Sequence, residues 1–320
     1  MRARPARLLA LIAAAFAPLR ALADEPALLL PPNLGRTDVA WVSGRVLEER
    51  YGEHGPNAFR TLRQLAGRNL ADAEVEVSFL GRTARAVSGH DGEFEVALRP
   101  APGETFPPGR HEAEVRVQGA KAAAAVLVVA PGAPYVLVSD FDDTVAVTNV
   151  TELRKVARST FLHSAETLPA VPGMARLYQC FAGAGAAVTF VSGSPVQLAP
   201  RLARFLERNG FPPAALHLRN LGWKTVRGGY KEPALARLAA RFPDARFVLV
   251  GDSGERDPEI YAAFQRAHPG RVLRAYIRKA TPSPGPASRF EGLVLFSDPA
   301  EVAADAAARG LLAPGCAVAP

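Results

Sequence analysis

The chain has 320 residues, of which 48% are hydrophobic and 22% are charged. At about 150 residues per domain this length predicts two domains, and the composition excludes a disordered or collagen-like chain. Its two cysteines are too few for a disulfide-rich scaffold or a four-thiolate zinc site. The formal charge of +7 would suit nucleic acid, but four of the arginines lie in the first 23 residues, which we expect to be removed. We therefore expect no nucleic-acid partner.

The first 23 residues have the pattern of a signal peptide. Arg2, Arg4 and Arg7 precede an apolar run over residues 8–19, and Ala21–Ala23 places small residues before the cleavage point. The run is clearly shorter than the roughly 20 residues that span a bilayer. We expect cleavage after Ala23 and export of the mature chain to the periplasm or the medium.

The two cysteines leave their pairing open. An exported chain permits a disulfide, yet Cys180 lies in an apolar helical pattern and Cys316 in a tail rich in Gly and Pro. One buried and one loose thiol are as compatible with this pattern as a bridge is. The cysteines therefore indicate nothing about function.

Residues 24–131 alternate apolar and polar residues, as half-buried strands do. Clear segments are Val42–Val46, Ala73–Val77, Glu93–Val96 and Ala113–Val117. The pattern predicts about five to seven antiparallel strands. His90–Gly92 has the composition of a turn, which predicts a hairpin between residues 84–87 and 93–96. We interpret this region as a small all-β sandwich whose charged residues face solvent.

Residues 132–320 follow a different pattern, after a boundary rich in Pro and Gly at residues 131–134. Continuous apolar strands alternate here with amphipathic helices. The strands are residues 135–138, 187–191, 247–250 and 272–277. Unbroken apolar runs indicate a parallel sheet that is covered on both faces. We expect a doubly wound α/β domain, in which ligands bind at the carboxyl ends of the strands.

Carboxylates follow the first of these strands. Asp140, Asp142 and Asp143 lie within four residues, and Thr144 follows them. Because like charges at such short spacing repel one another, a divalent cation would stabilise the cluster. A polar turn or a helix cap is the alternative interpretation of the same residues.

The second strand is followed by hydroxyl groups. Ser192 and Gly193 come directly after it, where a hydroxyl and the main-chain amides at the start of a helix would bind phosphate. Ser194 and Pro195 also have the composition of a helix cap with proline at the first helical position. The motif alone therefore does not separate a phosphate site from a helix start.

The third strand again ends on acids. Asp252 directly follows it, and Asp257 lies five residues later, where Asp257 and Pro258 could start a helix. Lys231, one of only five lysines, opens the preceding helical pattern within reach of a shared anion. Together the strand ends supply what phosphoryl transfer through a covalent intermediate needs: a carboxylate nucleophile, an acid–base carboxylate, metal-binding acids, and a hydroxyl and a lysine for phosphate.

In this order, the motifs resemble those of phosphatases of the haloacid dehalogenase superfamily: Asp140–Thr144, Ser192, Lys231 and Gly251–Asp257. A closer resemblance, to the catalytic domain of phosphatidate phosphatases of the actin-patch-protein type, extends over about residues 135–300. It rests on Ser139–Thr144, Thr148–Val150, Val171–Met174, Phe190–Leu198, Leu216–Arg219 and Val250–Tyr261. The implied fold is a haloacid-dehalogenase-like doubly wound parallel sheet.

The resemblance also implies a role for each site residue. Asp140 would attack phosphorus, Asp142 would act first as acid and then as base, and Thr144 would orient their turn. The phosphate would be bound by Ser192, the Gly193 amide and Lys231. The implied cofactor is Mg2+, held by the Asp140 carboxylate, the Asp142 main-chain carbonyl, Asp252 and Asp257.

Phosphatidate is the substrate that the resemblance implies. The intervals between the motifs are too short for a large cap domain, so we expect an open site that suits a bulky phosphomonoester. Arg154, Lys155 and Arg158 could contact an anionic membrane surface or could form a solvated helix face. Two alternatives remain: a broad phosphomonoesterase for soluble or protein phosphates, and a binding protein with an inert phosphatase-like domain.

Overall fold

A computed structural model describes residues 25–48, 68–147, 168–219, 229–281, 285–312 and 315–318. The predicted signal peptide, residues 1–23, lies outside these ranges, as do Arg154, Lys155 and Arg158. Two β-sheets account for the strands that the described ranges contain. Within the same ranges no helix combines the length and the apolar character needed to cross a bilayer.

The first sheet has eight strands in the described chain. They are β1 (Ala27–Leu29), β2 (Asn33–Arg36), β3 (Val39–Leu47), β4 (Glu74–Phe79), β5 (Arg82–Val87), β6 (Glu93–Leu98), β7 (Gly109–Val117) and β8 (Ala120–Val129). The order is β1-β3-β2-β8-β7-β4-β5, with β6 paired to β3, and β2 with β8 is a parallel pair. Alternate residues of β4 and β6 are buried in one core, and β5 lies beside β6, so the sheet wraps around that core.

The predicted hairpin at His90–Gly92 is wrong. The turn is present, but β5 pairs with β4, and β6 pairs with β3. The Ser88 hydroxyl accepts a hydrogen bond from the Ala73 amide at 3.0 Å and donates one to the Leu70 carbonyl at 2.7 Å. These bonds hold the end of β5 against the start of β4, and the chain then crosses to β3. Turn residues specify a reversal of the chain but not the strand that it next pairs with.

The second sheet has six parallel strands in the order β11-β10-β9-β12-β13-β14. They are β9 (Val136–Ser139), β10 (Ala187–Pro195), β11 (Ala214–Arg219), β12 (Phe247–Asp252), β13 (Val272–Arg278) and β14 (Val294–Phe296). The helices are α1 (Met174–Gly183), α2 (Ala199–Arg208), α3 (Lys231–Arg241), α4 (Asp257–Ala267) and α5 (Pro299–Ala308). This order confirms the doubly wound sheet. The chain adds strands on one side of β9 and then on the other, beginning with β12, and such folds bind ligands at this switch point.

Helices cover both faces of the second sheet. Every residue of β9 and β12 is buried, as their unbroken apolar sequences predict. Leu177 and Phe205, from α1 and α2, belong to the core on one face, whereas Leu235 and Phe264, from α3 and α4, belong to the core on the other. The sheet is therefore shielded from water except at its strand ends.

The first sheet packs against the second near the edge strand β11. Leu34 lies in a hydrophobic core of the second sheet, and the Leu216 amide donates to the Pro32 carbonyl at 2.9 Å. The Arg241 guanidinium of α3 lies 4.9 Å from the centre of the Trp41 ring. The first sheet thus covers part of an edge that would otherwise expose unpaired backbone groups.

Cys180 and Cys316 form a disulfide, with 5.8 Å between their Cα atoms. This settles the pairing that the sequence left open. The bridge attaches the C-terminal tail to α1 and closes a span of 136 residues. A cross-link over so long a span removes much conformational entropy from the unfolded chain and thereby stabilises the fold.

Candidate active site

Asp140 follows β9 and lies at the centre of the site. Its amide donates to the Val250 carbonyl at 2.9 Å, which continues the pairing of β9 with β12, and its side chain is 1% exposed. The Lys231 Nζ lies 2.8 Å from Oδ1, and the Thr144 hydroxyl donates to Oδ2 at 3.3 Å. The carboxylate is therefore buried and held on both oxygens. Burial raises the pKa of Asp140 well above its usual value, and the Lys231 cation opposes that rise and favours the ionised form.

Lys231 is the first residue of α3 and is 6% exposed. Its Nζ lies 2.5 Å from the Asp257 Oδ1 and 3.7 Å from the Glu255 Oε2, in addition to its contact with Asp140. Burial alone would lower the pKa of Lys231, but the charges of Asp140 and Asp257 outweigh burial and raise that pKa well above its usual value. A cation at a helix N-terminus opposes the helix dipole, so Lys231 does not stabilise α3. Its ammonium group instead neutralises the neighbouring carboxylates.

Asp142 lies two residues after Asp140 and receives two hydroxyl groups. Ser192 and Ser194 both donate to its Oδ2, at 3.3 and 3.0 Å. Burial raises the pKa of Asp142 to about 6, although the bonds from Ser194 and Ser192 favour the charged form and limit the rise. A carboxyl that titrates near neutral pH can both give and take a proton during a reaction.

The helix that we expected directly after the second strand begins later. β10 extends to Pro195 and is followed by a 3-10 helix, Val196–Leu198, before α2 starts at Ala199. Ser194 is therefore not a cap, and the main-chain amides of a helix start do not adjoin Ser192. The physical reason is that parallel pairing with β11 continues as far as Pro195, across an irregularity in the ladder. Gly193 is exposed, and a Cβ atom there would meet no heavy atom of the described residues within 4 Å.

Asp252 ends β12 and is 1% exposed. Its Oδ1 accepts the amides of Gly254 and Glu255 at 2.5 and 3.3 Å, but its Oδ2 has no hydrogen-bond partner among the described residues. Burial, together with the charge of Asp257, raises the pKa of Asp252 to about 7. A buried oxygen without a hydrogen-bond partner costs free energy, which indicates that its partner is a ligand from outside the polypeptide.

Asp257 is the first residue of α4, but it does not cap that helix. Arg256 occupies the cap position, and no side chain caps the helix. The Asp257 carboxylate instead points inward and accepts the Asp252 amide on Oδ2 at 3.2 Å. A side chain at Gly251 would collide with this carboxylate. The glycine of the Gly251–Asp257 motif therefore makes room for the acid.

The residues present fit a hard divalent cation. Carboxylate oxygens of Asp140, Asp252 and Asp257 all lie within 4.8 Å of one another, and all three residues are buried. The unpartnered Oδ2 of Asp252 is one of the oxygens that a cation would satisfy. Oxygen ligands of this kind are the ones that Mg2+ prefers, and a cation would also offset the repulsion among the three acids.

The fold thus brings Asp140, Asp142, Thr144, Ser192, Lys231, Asp252 and Asp257 together, with Gly193 on the exposed rim. Sequence reasoning missed two contributors. Ser194 could have been found from its spacing, because residues two apart in an extended strand face the same side. Arg278 ends β13 and donates from Nη1 to the Asp143 carbonyl at 2.6 Å, where Asp143 has a φ of 51°. Its position at a strand end was the available signal.

Residues 135–279 match the family model described as phosphatidate phosphatase APP1, catalytic domain. A protein of Schizosaccharomyces pombe is 35% identical over 151 residues, which cover 44% of this chain and 24% of that protein. The phosphatidate phosphatase APP1 of Saccharomyces cerevisiae is 32% identical over 150 residues, which cover 44% of this chain and 25% of that protein. The chain therefore spans about a quarter of the length of these curated relatives.

Two solved structures are also similar to this chain. A haloacid dehalogenase family hydrolase from Deinococcus radiodurans, with bound phosphate and sodium, has a TM-score of 0.39 at 17% identity and covers 57% of this chain and 100% of its own. The phosphoserine phosphatase of T. onnurineus has a TM-score of 0.33 at 17% identity and covers 54% of this chain and 94% of its own. The match to the family model and the two relatives confirm the resemblance that the motifs indicated. Residues 135–279 are therefore similar to the catalytic domain of the phosphatidate phosphatase APP1.

Proposed function

We propose that this chain is a magnesium-dependent phosphatase that hydrolyses a phosphomonoester, with phosphatidate as its main substrate, through an aspartyl-phosphate intermediate. The observation that carries the proposal is the Asp140 carboxylate, buried 2.8 Å from the Lys231 ammonium and followed two residues later by a carboxyl held by two serines. A nucleophile next to a fixed cation and an acid–base group is what phosphoryl transfer needs. The relative named phosphatidate phosphatase APP1 supports the choice of substrate.

Mg2+ would be held by the Asp140, Asp252 and Asp257 carboxylates and by the Asp142 main-chain carbonyl. When bound, it supplies positive charge that offsets the negative charge of the phosphate oxygens and fixes their position. The Lys231 ammonium, 2.8 Å from Asp140 Oδ1 and 2.5 Å from Asp257 Oδ1, adds a second positive charge beside two of these acids. The Gly193 amide, on the exposed rim, and the buried Ser192 hydroxyl would donate to the phosphate oxygens.

The first chemical step is attack by an Asp140 oxygen on phosphorus. A bond from this oxygen to phosphorus forms while the bond from phosphorus to the ester oxygen breaks, and the electron pair stays on the ester oxygen. The Asp142 carboxyl gives its proton to that oxygen, so the alcohol leaves neutral. The site then holds an aspartyl phosphate at Asp140 and an ionised Asp142.

The second step returns the enzyme to its starting state. Asp142, now a carboxylate, takes a proton from a water molecule as the water oxygen attacks phosphorus. The bond between phosphorus and Asp140 breaks, which releases inorganic phosphate and restores both aspartates. A pKa of about 6 at Asp142 suits this double role, because the proton is neither too weakly nor too strongly held.

Phosphatidate is favoured over small metabolites because the rim at Gly193 opens to solvent. A bulky, membrane-bound phosphomonoester needs such access, and an enzyme for a small ester benefits more from a lid. Contact with an anionic membrane through Arg154, Lys155 and Arg158 belongs to the same proposal. The second candidate, a broad phosphomonoesterase for soluble or protein phosphates, shares the chemistry and differs in substrate alone.

The test is phosphate release by the purified chain from phosphatidate in mixed micelles and from p-nitrophenyl phosphate, each with Mg2+ and with EDTA. Asp140→Asn is the inactive control, and Asp38→Asn, an exposed aspartate paired with Arg36, is the matched variant. We expect Mg2+-dependent turnover that prefers phosphatidate. Turnover of the soluble ester alone would favour the second candidate, and no turnover of either would favour an inert domain.

We also propose that the chain is exported after cleavage of residues 1–23. The signal-peptide pattern supports export, and so does the disulfide between Cys180 and Cys316, because such bonds persist in oxidising compartments. N-terminal sequencing of the protein recovered from the periplasmic fraction tests this. A mature N-terminus at Asp24 is expected, and recovery of the uncleaved chain from the cytosol would contradict it.

A further inference from the structure

Among the described residues, the hydrogen bonds to the Asp142 carboxylate reach only one of its two oxygens. Ser192 and Ser194 both donate to Oδ2, and neither bond involves Oδ1. A carboxyl fixed in this way keeps Oδ1 available to carry the proton that the leaving oxygen receives. The direction of Oδ1 therefore depends on the two hydroxyl groups at Oδ2.

The two serines differ in what else they do. Ser192 is fully buried, and its oxygen accepts the Ser194 amide at 3.0 Å. The oxygen is thereby fixed, and its single hydrogen can point either to Asp142 or to a phosphate oxygen. In the function proposed above, Ser192 donates to the phosphate, so it then no longer donates to Asp142. Ser194 remains as the hydroxyl donor on Oδ2.

We infer that Ser194 is a positioning residue that holds the Asp142 carboxyl for proton transfer to the leaving oxygen while Ser192 is engaged by phosphate. Ser194 is 6% exposed and lies 3.0 Å from Asp142 Oδ2, the shorter of the two hydroxyl contacts. Without it, the carboxyl would rotate about its side-chain bonds, and Oδ1 would no longer be directed at the ester oxygen. Misplacing a proton donor slows only those reactions that need its proton.

The inference rests on the proposed function, and the dependence on the leaving group tests it. Nitrophenolate leaves readily without a proton, whereas an alkoxide needs one. The substrates are p-nitrophenyl phosphate, benzyl phosphate as an alkyl ester of similar size, and dioctanoyl phosphatidate as a second alkyl ester. The quantity compared is kcat/KM, because it includes departure of the alcohol and excludes the later hydrolysis of the aspartyl phosphate, which the substrates share.

For Ser194→Ala we expect kcat/KM to fall about tenfold to a hundredfold with both alkyl esters, and less than about threefold with p-nitrophenyl phosphate. Ser194→Thr keeps the hydroxyl and should recover most of the alkyl-ester activity. Ser192→Ala should lower all three values by similar factors, because the phosphate is common to them. Ser78→Ala, at a half-buried serine of the first sheet that contacts Thr83 at 3.0 Å, is the matched control and should change none of them.

An equal loss by Ser194→Ala on aryl and alkyl esters, or no loss on either, would overturn the inference while leaving the proposed function in place. A wild-type enzyme that releases phosphate from none of the three substrates would overturn both. If Ser194→Ala does not fold, Ser194→Cys has a similar size and only a weak donor, so the same selective loss is expected of it.

Discussion

Charged side chains differ in their solvent exposure between the two sheets of this protein. In β7 and β8 of the first sheet the charges lie on the solvent side, as in the cluster of Glu114 with Arg116 and Lys121, whose side chains are 28%, 56% and 59% exposed. At the carboxyl edge of the second sheet, Lys231, Asp140 and Asp257 are 8% exposed or less. The same residue types are therefore solvated in one region and withdrawn from water in the other.

This difference separates charges that maintain solubility from charges that perform chemistry. Exposed ion pairs contribute little to stability, about 0 to 1 kcal/mol, because water solvates the separated charges almost as well. Buried ions lose their hydration, and apolar residues in the same place would often be at least as stable. A buried cluster of three acids and one lysine is consequently a sign of function rather than of stability. Matched substitutions in the two regions test this comparison.

The largest effect is expected for Asp140→Asn. The amide has nearly the same shape but is not a nucleophile, so turnover should fall by about 10⁴-fold or more while the fold is retained. Asp38→Asn, in an exposed pair with Arg36, should leave kcat/KM within about twofold. Steady-state phosphate release and circular dichroism measure both variants. Retention of most activity by Asp140→Asn would exclude it as the nucleophile.

Lys231→Met should reduce both activity and stability. Removal of the ammonium leaves Asp140 and Asp257 buried without their cation, so we expect about a hundredfold loss of kcat/KM and a loss of about 3–5 kcal/mol in the free energy of unfolding. Denaturant titration of the metal-free protein measures the second quantity. Lys121→Met is the matched surface variant and should lose at most about 1 kcal/mol. Equal losses in the two variants would contradict the comparison.

The disulfide is expected to affect stability alone. Replacement of both Cys180 and Cys316 by Ser should lower the free energy of unfolding by about 2–5 kcal/mol, because the unfolded chain gains freedom over a long span. Neither cysteine is among the residues that would hold the substrate or the metal, so kcat/KM at 25 °C should remain within about twofold. Parallel denaturant and activity measurements check this. An unchanged unfolding midpoint would mean that the tail contributes nothing to the fold.

A smaller, pH-dependent effect is expected from Mg2+ on thermal unfolding. Burial raises the pKa of Asp252 to about 7 from an ordinary value of 3.8, so the metal-free protein should be more stable below that pH and should lose this stability as the pH rises through about 7. Mg2+ binds the ionised acid and should therefore raise Tm by several degrees at about pH 8 and much less at about pH 5. Differential scanning calorimetry with Mg2+ or EDTA at the two pH values measures the difference. An equal Mg2+ effect at both would argue against Asp252 as a ligand.

Much of the catalytic region could be predicted because its determinants are local. The four apolar strands are long unbroken runs, and the rule that ligands bind where parallel strands end selected Asp140, Ser192 and Asp252. Lys231 was singled out as one of only five lysines at the start of a helical pattern, and it opens α3 as expected. Strand pairing in the first region was less predictable, because β5 and β6 have the alternation of a hairpin but pair with different partners. Alternation reports which face is buried and not which strand lies alongside.

The sequence by itself determined the type of each sheet, the strand ends that carry chemistry and the superfamily that the motifs resemble, because all of these depend on short stretches of chain. Only the tertiary structure decided that Asp257 turns to Lys231 instead of capping α4, that Ser194 holds Asp142, and that Cys180 reaches Cys316. Each of these contacts joins residues far apart in the chain, or selects one of two partners that the local sequence allows equally well. The tertiary fold makes this choice because it buries the acids. A carboxylate that has lost its hydration needs a cation or a hydroxyl group as its partner, and packing determines which one lies nearest.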